Sequence, residues 1–382
     1  MLLSTPFPPE EGIGNYVYNL SSRLAKRGHE VIVITRGGLK KQILEYDKFV
    51  VFKLPFLMAY PFHVDIHGIF VNKFLRRLNE HLDVIHVHTP LTPALTTQTP
   101  MVTTFHTPHF TDSYAIDIIN MRSLLTKILG VLAYRIEKSL IASSKIISAV
   151  SNGVKSNLVE HYGVKREDVM VLGNAVSDIF LEAGHTITKQ KDDTIILYAG
   201  RLDHGKGVLD LVESMKTVTE SIPNAKLIIM GKGPLLSRII RKVAELGLQK
   251  HIELRGFMNH KELLDTSLRA SIFVLPSYHE GLPTSILEAM ACQLAVVATA
   301  VRGNVDIVKH GETGMLVPPK APESLGRAII YLLEHPDLRQ KLAKSGRRLV
   351  EERFTWDKVA ERTLVAYNAA RGEKSADRLD SF

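Results

Sequence analysis

Tyr278-His-Glu-Gly-Leu-Pro-Thr-Ser-Ile-Leu-Glu-Ala-Met-Ala291 reads as the end of a strand, a turn and the opening of a helix. Glu280 falls at the strand end, and Glu288 falls inside the helix. Pro283 suits a first helical turn, where its missing N–H is not needed and its φ is already helical. The free N–H groups of residues 281–285 then point outward with the positive end of the helix dipole, which makes a socket for phosphate. The two carboxylates, one outside that socket and one within it, are placed to accept hydrogen bonds from sugar hydroxyls. Taken alone, the segment reads equally well as a buried strand followed by an amphipathic helix with solvated acids.

Outward from this segment one rhythm recurs: a short β-branched run, a turn, an amphipathic helix, another run. In the first half strands are expected at 1–5, 30–35, 50–54, 83–88, 101–106, 145–150 and 169–172, with helices at 15–27, 68–81, 114–143 and 152–161. The second half repeats the scheme. Its strands are expected at 194–199, 226–230, 252–254, 272–275, 295–299 and 314–317, with helices at 208–221, 235–246, 261–270 and 284–291 and two more near the C-terminus. Buried strands alternating with helices mean parallel sheets with right-handed crossovers, so the fold class is α/β with two doubly wound, Rossmann-like domains. The polar stretch 178–193 is taken as a linker between a first domain, 1–177, and a second, 194–355. Residues 356–372 are expected as a final helix and 373–382 as a mobile tail. Folds of this kind bind ligands at the C-terminal ends of their strands and in clefts between domains.

Composition sets the frame. At 382 residues the chain is too long for one ordinary core. Its 45% apolar and 23% charged content is that of a soluble globular protein. A single cysteine, Cys292, excludes an internal disulfide framework and a Cys-based metal site, and it fits a reducing, cytoplasmic compartment. The opening Met1-Leu-Leu-Ser-Thr-Pro does not read as a signal peptide, and no apolar run is long enough to span a bilayer. The net charge of +8 favours anionic partners such as nucleotide phosphates or an acidic lipid surface; no nucleic-acid partner is expected.

A second constellation lies at Tyr198-Ala-Gly-Arg-Leu-Asp-His-Gly-Lys-Gly207. Arg201 follows a strand end and Lys206 precedes a helix. A forked guanidinium and a compact ammonium together suit a diphosphate, and the glycines let backbone approach closely. An exposed turn with incidental basic residues is the competing reading. The later Gly231-Lys-Gly233 reads as a tight strand-to-helix turn. Near the N-terminus, Pro6-Phe-Pro-Pro-Glu-Glu-Gly-Ile-Gly14 is expected as a loop; Gly12 and Gly14 imitate a dinucleotide fingerprint, but Val17 stands where its third glycine belongs, so an NAD site is disfavoured. His106 ends a strand and is the histidine most suited to a functional role. His86 and His88 alternate on one strand, share a face, and are expected as hydrogen-bonded packing residues; no companion ligand at a familiar spacing makes them a metal site. The stretch 114–143 is amphipathic and basic, with Arg122, Lys127, Arg135 and Lys138. It reads either as a membrane-surface helix or as a core-packed helix with a solvated face.

In this combination the chain resembles the GT-B glycosyltransferases of family 4, the retaining nucleotide-sugar transferases also called glycosyl transferases group 1. The family's Glu-x7-Glu signature stands as Glu280 and Glu288, followed by Ala-Met-Ala and Val-Val-Ala-Thr299. Its Gly-Arg-Leu-x-x-x-Lys-Gly signature stands as Gly200, Arg201, Leu202, Lys206 and Gly207. The glycines at 12–14, Gly-His-Glu-Val at 28–31, Thr104-Phe-His106 and Ser151-Asn-x-Val-Lys-Ser complete the resemblance, which covers nearly the whole chain. It implies a hexosyltransferase-type enzyme that moves a sugar, with retention, from a UDP-, GDP- or ADP-sugar to a hydroxyl of a glycan, lipid or small molecule.

By resemblance, Arg201 and Lys206 hold the donor diphosphate, Glu288 takes the ribose hydroxyls, and Glu280 with the N–H groups of Gly281 and Leu282 orients the sugar. His106 contacts that sugar from the first domain, Phe257 and Met258 border the base, and Gly12 and Gly14 approach the donor. No metal or cofactor is expected, since an Asp-x-Asp clamp is absent from the sequence. The resemblance also has the final helix crossing back to brace the first domain, with Trp356 as a packing anchor, and it includes members that meet lipid carriers at the inner membrane face. The sequence departs from the family pattern at Gln293-Leu-Ala295, where a Gly-x-Pro and its glycine helix cap are usual, and at Arg302-Gly303 and Asp306. A sugar-nucleotide epimerase of the same architecture and a non-catalytic binding protein remain as alternatives.

Overall fold

The computed structural model describes residues 12–46, 48–59, 62–78, 81–90, 92–108, 121–185, 192–257 and 259–373, the first nine residues of the 121–143 helix in backbone only. The chain divides into two compact units, Met1–Asn174 together with Trp356–Phe382, and Ala175–Thr355. The expected strand 1–5 lies outside the described residues, as do 109–120 and the tail from 374.

In the first unit the described strands are β1 (Ile32–Arg36), β2 (Gln42–Tyr46), β3 (Phe49–Leu54), β4 (Ile85–Thr89), β5 (Met101–Phe105), β6 (Ile146–Ala149) and β7 (Val169–Val171). They form two groups, β1-β3-β2 and β4-β5-β6-β7, parallel throughout except for the antiparallel β2–β3 pair. Strand β2 was not expected from sequence. It is a partly exposed edge strand whose Gln-Ile-Leu-Glu-Tyr lacks the continuous apolar run that marked the others. Strands β4 and β5 are buried at every position.

Helix Gly12–Lys26 buries Tyr16, Val17, Leu20 and Leu24, an i, i+4, i+8 stripe with its i+1 neighbour. It reaches back to Gly12, three residues beyond the expected start, so Gly12 and Gly14 are helical and not part of a loop. Helix Asn152–Tyr162 starts where Ser151 accepts a hydrogen bond from the N–H of Val154 and stops at Gly163, whose φ is 70°. The helix Trp356–Arg371 belongs to this unit: buried Trp356 meets Tyr16 edge-on at 5.2 Å, and Arg27 donates to the Asp357 carboxylate at 3.4 Å.

The second unit carries β8 (Ile195–Ala199), β9 (Lys226–Met230), β10 (Ile252–Gly256), β11 (Ile272–Leu275), β12 (Ala295–Thr299) and β13 (Met315–Val317). All six are parallel, in the order β10-β9-β8-β11-β12-β13. Counted from β8 this is the 3-2-1-4-5-6 order of a Rossmann fold, whose direction of winding reverses between β8 and β11. Crossover helices Val208–Ser221, Leu236–Glu245, His260–Ser267 and Thr284–Ala291 link the strands, and Pro322–Glu334 and Pro336–Arg353 follow them.

Part of the expected linker is structured. Residues Asp178–His185 form a helix that packs on Thr284–Ala291, with Phe180 fully buried. Arg347 ties the two helices together by donating to the carbonyls of Leu181, at 3.1 Å, and Ala291. The Thr284–Ala291 helix ends without the family's glycine. Gln293 itself takes the left-handed conformation, φ 55°, and the N–H of Leu294 reaches back to the Ala289 carbonyl at 3.0 Å. A side chain in that conformation costs roughly 1–2 kcal/mol. Among the described residues no helix is long and apolar enough to cross a membrane.

Candidate functional site

In an open parallel sheet the ends of the two strands at the reversal splay apart and leave a crevice beyond their C-terminal edges. In the second unit β8 delivers Gly200 and Arg201 to that edge, and β11 delivers Pro276, Ser277 and Tyr278. The N–H of Tyr278 donates to the Gly205 carbonyl at 2.8 Å, joining the two loops. Gly207 holds the left-handed conformation, φ 62°, and lies so close to Pro276 that a Cβ there would sit 2.0 Å from the Pro276 oxygen. This contact sets Lys206 beside the loop after β11.

Lys206 Nζ donates to Glu280 Oε1 at 2.7 Å, and Ser277 Oγ donates to the same oxygen at 2.7 Å. The Glu280 side chain is only 8% exposed. Ser277 is in turn held by Thr299 at the end of β12, whose hydroxyl donates to the Ser277 carbonyl. Asn304 Nδ2 donates to the Thr299 carbonyl at 3.0 Å and to its Oγ1 at 3.2 Å. Ser277 and Asn304 escaped the sequence reading, and Thr299 entered it only as the end of the Val-Val-Ala-Thr stretch. Their only signal is a small hydroxyl or amide soon after a fully apolar strand. Arg201 is 79% exposed and pairs with Asp203, its Nη2 2.7 Å from Oδ2. Its guanidinium thus stands in solvent at the crevice, while Lys206 is already engaged by a carboxylate.

Pro283 caps the Thr284–Ala291 helix from outside, with ψ 114°, so the first helical residue is Thr284 and not the proline. Glu288 lies in that helix's second turn. Although part of its surface reaches solvent, the protein packed around it pushes its carboxyl up to about 8. The folded protein keeps this proton to higher pH than the unfolded chain does. Glu288 therefore costs nothing below the usual carboxylate value of 4.5 and weighs increasingly against folding as pH climbs to about 8. Glu288→Gln should gain Tm relative to the parent protein as the pH is raised from about 5 to about 9; an equal Tm difference at both ends would show an ordinary carboxyl.

The remaining sequence candidates are distributed unevenly. Phe257, beyond β10, is 69% exposed, and Lys232 Nζ stands 5.1 Å over its ring. Lys232 belongs to the 231–233 turn, where its carbonyl accepts from the N–H of Leu202 at 2.8 Å, so that turn adjoins the Arg201 loop. Met258 lies outside the described residues. Gly281 and Leu282 continue the loop from Glu280, with Leu282 buried. Gly12 and Gly14 sit in a helix of the first unit, Gly14 buried.

The histidines belong to the first unit. The parallel register sets His86 beside Val102 and His88 beside Thr104, so each histidine reaches the side chain two residues further along β5. His86 Nε2 lies 2.6 Å from Thr104 Oγ1, and His88 Nδ1 lies 3.1 Å from His106 Nε2. Hydroxyl chemistry fixes the proton of His86. Ser148 spends its hydrogen on the Thr103 carbonyl at 3.1 Å and so accepts from Thr104 at 2.7 Å. Thr104 must then accept from His86 Nε2–H, and His86 Nδ1 accepts from Tyr367 O–H at 2.8 Å. Burial holds His86 and His88 well below the usual histidine range and pushes His106, 9% exposed, down to about 3. All three rings are neutral at physiological pH.

The Glycosyltransferase Family 4 model matches residues 11–178, and the Glycosyl transferases group 1 model matches residues 184–349. The chain belongs to the group 1, family 4 glycosyltransferases. This glycosyltransferase is similar to an uncharacterised glycosyltransferase of Methanocaldococcus jannaschii, with 25% identity over 97% of this chain and 97% of that one. Among solved structures it is similar to sucrose-phosphate synthase from Thermosynechococcus elongatus, with a TM-score of 0.77 and 22% identity over 94% of this chain and 93% of that one. It is also similar to Anabaena HepE in complex with UDP-glucose, with a TM-score of 0.66 and 16% identity over 96% and 99% of the two chains. These likenesses show the GT-B fold.

Proposed function

We propose that this glycosyltransferase is a retaining enzyme that takes its sugar from a nucleoside diphosphate sugar and delivers it to a hydroxyl acceptor. The observation that carries the reading is the Lys206–Glu280 contact of 2.7 Å at the reversal between β8 and β11, with the exposed Arg201 guanidinium on the adjoining loop. In this reading Arg201 and Lys206 receive the diphosphate and offset the charge that builds as it departs. Glu280, steadied by Ser277, and the N–H groups of Gly281 and Leu282 orient the sugar. Glu288 takes the ribose hydroxyls, Phe257 and Met258 border the base, and His106 gives the sugar a further hydrogen bond. Gly12 and Gly14 contribute backbone at the opening of their helix.

An oxocarbenium-like transition state with a leaving diphosphate needs preorganised positive charge more than a strong base. The acceptor proton can pass to the departing phosphate oxygen on the same face of the sugar, so the stereochemistry is kept without a protein nucleophile. The UDP-glucose bound by Anabaena HepE, which shares the fold, supports a nucleotide-sugar donor for this chain. The acceptor is a hydroxyl of a glycan, a lipid or a small molecule.

A panel of UDP-, GDP- and ADP-sugars, each with and without a set of hydroxyl acceptors, tests the proposal. Expected is consumption of one donor class, release of the matching nucleoside diphosphate, and turnover that persists in EDTA because the two cations serve the diphosphate. Acceptor-independent conversion of the donor to an epimer, or saturable binding without turnover on every acceptor, would overturn it.

A further inference from the structure

His88 is buried, and its Nε2 has no hydrogen-bond partner. Its Nδ1 lies 3.1 Å from His106 Nε2, so a single proton bridges two neutral rings. The proton can belong to either ring, and the choice makes His106 Nδ1 either an acceptor or a donor toward a ligand. If His106 donated from Nε2, His88 would carry its own proton on Nε2 and strand a buried N–H. If His88 donates from Nδ1, its Nε2 is a bare lone pair, and no donor is stranded. Stranded buried donors are the rarer fault in folded proteins.

We infer that His88 is a positioning residue that fixes the tautomer of His106, leaving the His106 proton on Nδ1 as a hydrogen-bond donor. Neutral imidazole obeys this rule generally: the bond made by one nitrogen decides the state of the other. The surroundings hold the arrangement in place. The Tyr16 ring stands edge-on to His106 with centroids 4.7 Å apart, and His86, locked by Tyr367 and Thr104, lies 4.1 Å from His88 between ring centroids. The inference rests on the proposed role of His106 toward the sugar. It deepens that role by assigning a direction: His106 donates to a sugar oxygen and does not accept a hydroxyl proton.

Nitrogen-15 NMR of the full chain labelled at histidine tests the tautomer without reference to activity. His106 and His88 would be assigned by their loss in the corresponding variants. Expected is a protonated Nδ1 and a bare Nε2 on both His106 and His88 near pH 7; a His106 protonated at Nε2 overturns the inference. A kinetic arm separates this role from mere packing. Asn places an amide N–H near the position of imidazole Nδ1, so His88→Asn should keep kcat within a few-fold, whereas His88→Phe, which fills the space without a donor, should lose on the order of 10-fold or more. Where His106→Ala impairs turnover, equal losses in the two His88 variants would also overturn it. If His106→Ala leaves turnover intact while the NMR result stands, the sugar-contact role of His106 fails and the tautomer assignment survives.

Discussion

Lys206→Ala is expected to lower kcat/KM by on the order of 10³-fold, the largest single effect of any substitution in this glycosyltransferase. Two losses coincide. On the proposed mechanism the departing diphosphate loses a preorganised cation, and removing one donor of this kind costs about 3–4 kcal/mol of transition-state stabilisation. Glu280, whose side chain is 8% exposed, also loses its ion-pair partner and keeps only the Ser277 hydroxyl on that oxygen. A carboxylate left in so enclosed a place destabilises the loop that carries it. The double variant Lys206→Ala with Glu280→Gln distinguishes the two. Its Tm should recover toward the parent value, while its turnover stays low. Donor-saturation kinetics and thermal melts on the three proteins decide the matter; near-normal turnover in Lys206→Ala would remove this lysine from the chemistry.

Gly207→Ala should be nearly as damaging, through geometry instead of charge. The backbone at 207 has φ 62°, which costs an L-residue roughly 1–2 kcal/mol. The added methyl would also stand 2.0 Å from the Pro276 oxygen and 2.9 Å from its carbonyl carbon, far inside contact distance and against backbone that cannot step aside cheaply. Relief requires the loop after β11 to move off the Lys206 turn, which breaks the Tyr278 to Gly205 hydrogen bond and separates Lys206 from Glu280. A loss of about 4 kcal/mol or more is expected, with turnover falling in parallel. Gly247→Ala is the control. Its φ is 69°, but nothing lies within 4 Å of the new atom, so only the conformational cost of roughly 1–2 kcal/mol should appear. Equal melting shifts for the two variants would show that the contact at Pro276 is soft.

Much of this architecture is legible in the chain because its strongest signals are local. The fully apolar runs of β11 and β12 cannot be edge strands, and the glutamates and basic residues that follow β8 and β11 stand at strand ends, where an open sheet binds ligands. The failures arise where a local sign points the wrong way. Gly12 and Gly14 look like punctuation, yet the stripe of Tyr16, Leu20 and Leu24 extends the helix back through them. The Asp178–His185 segment looks polar, but a single aromatic, Phe180, buried against the next layer, makes it a packed helix. Strand β2 shows too little apolar character because it borders only one neighbour. Other features lie beyond any local reading. The bonds from Thr299 to Ser277 and from His88 to His106 depend on the register between strands, which no residue announces by itself.

Because Trp356–Arg371 completes the first unit while the second is formed by residues between, synthesis and folding run in different orders. As the polypeptide leaves the ribosome, every residue of the second unit emerges before Tyr367 can reach His86 or Trp356 can reach Tyr16. The earlier-made lobe must wait for the later-made one, holding an open flank along β5 and β6 in the interval. A released chain ending at residue 355 should accordingly yield a protease-resistant second lobe beside a cleavable first one.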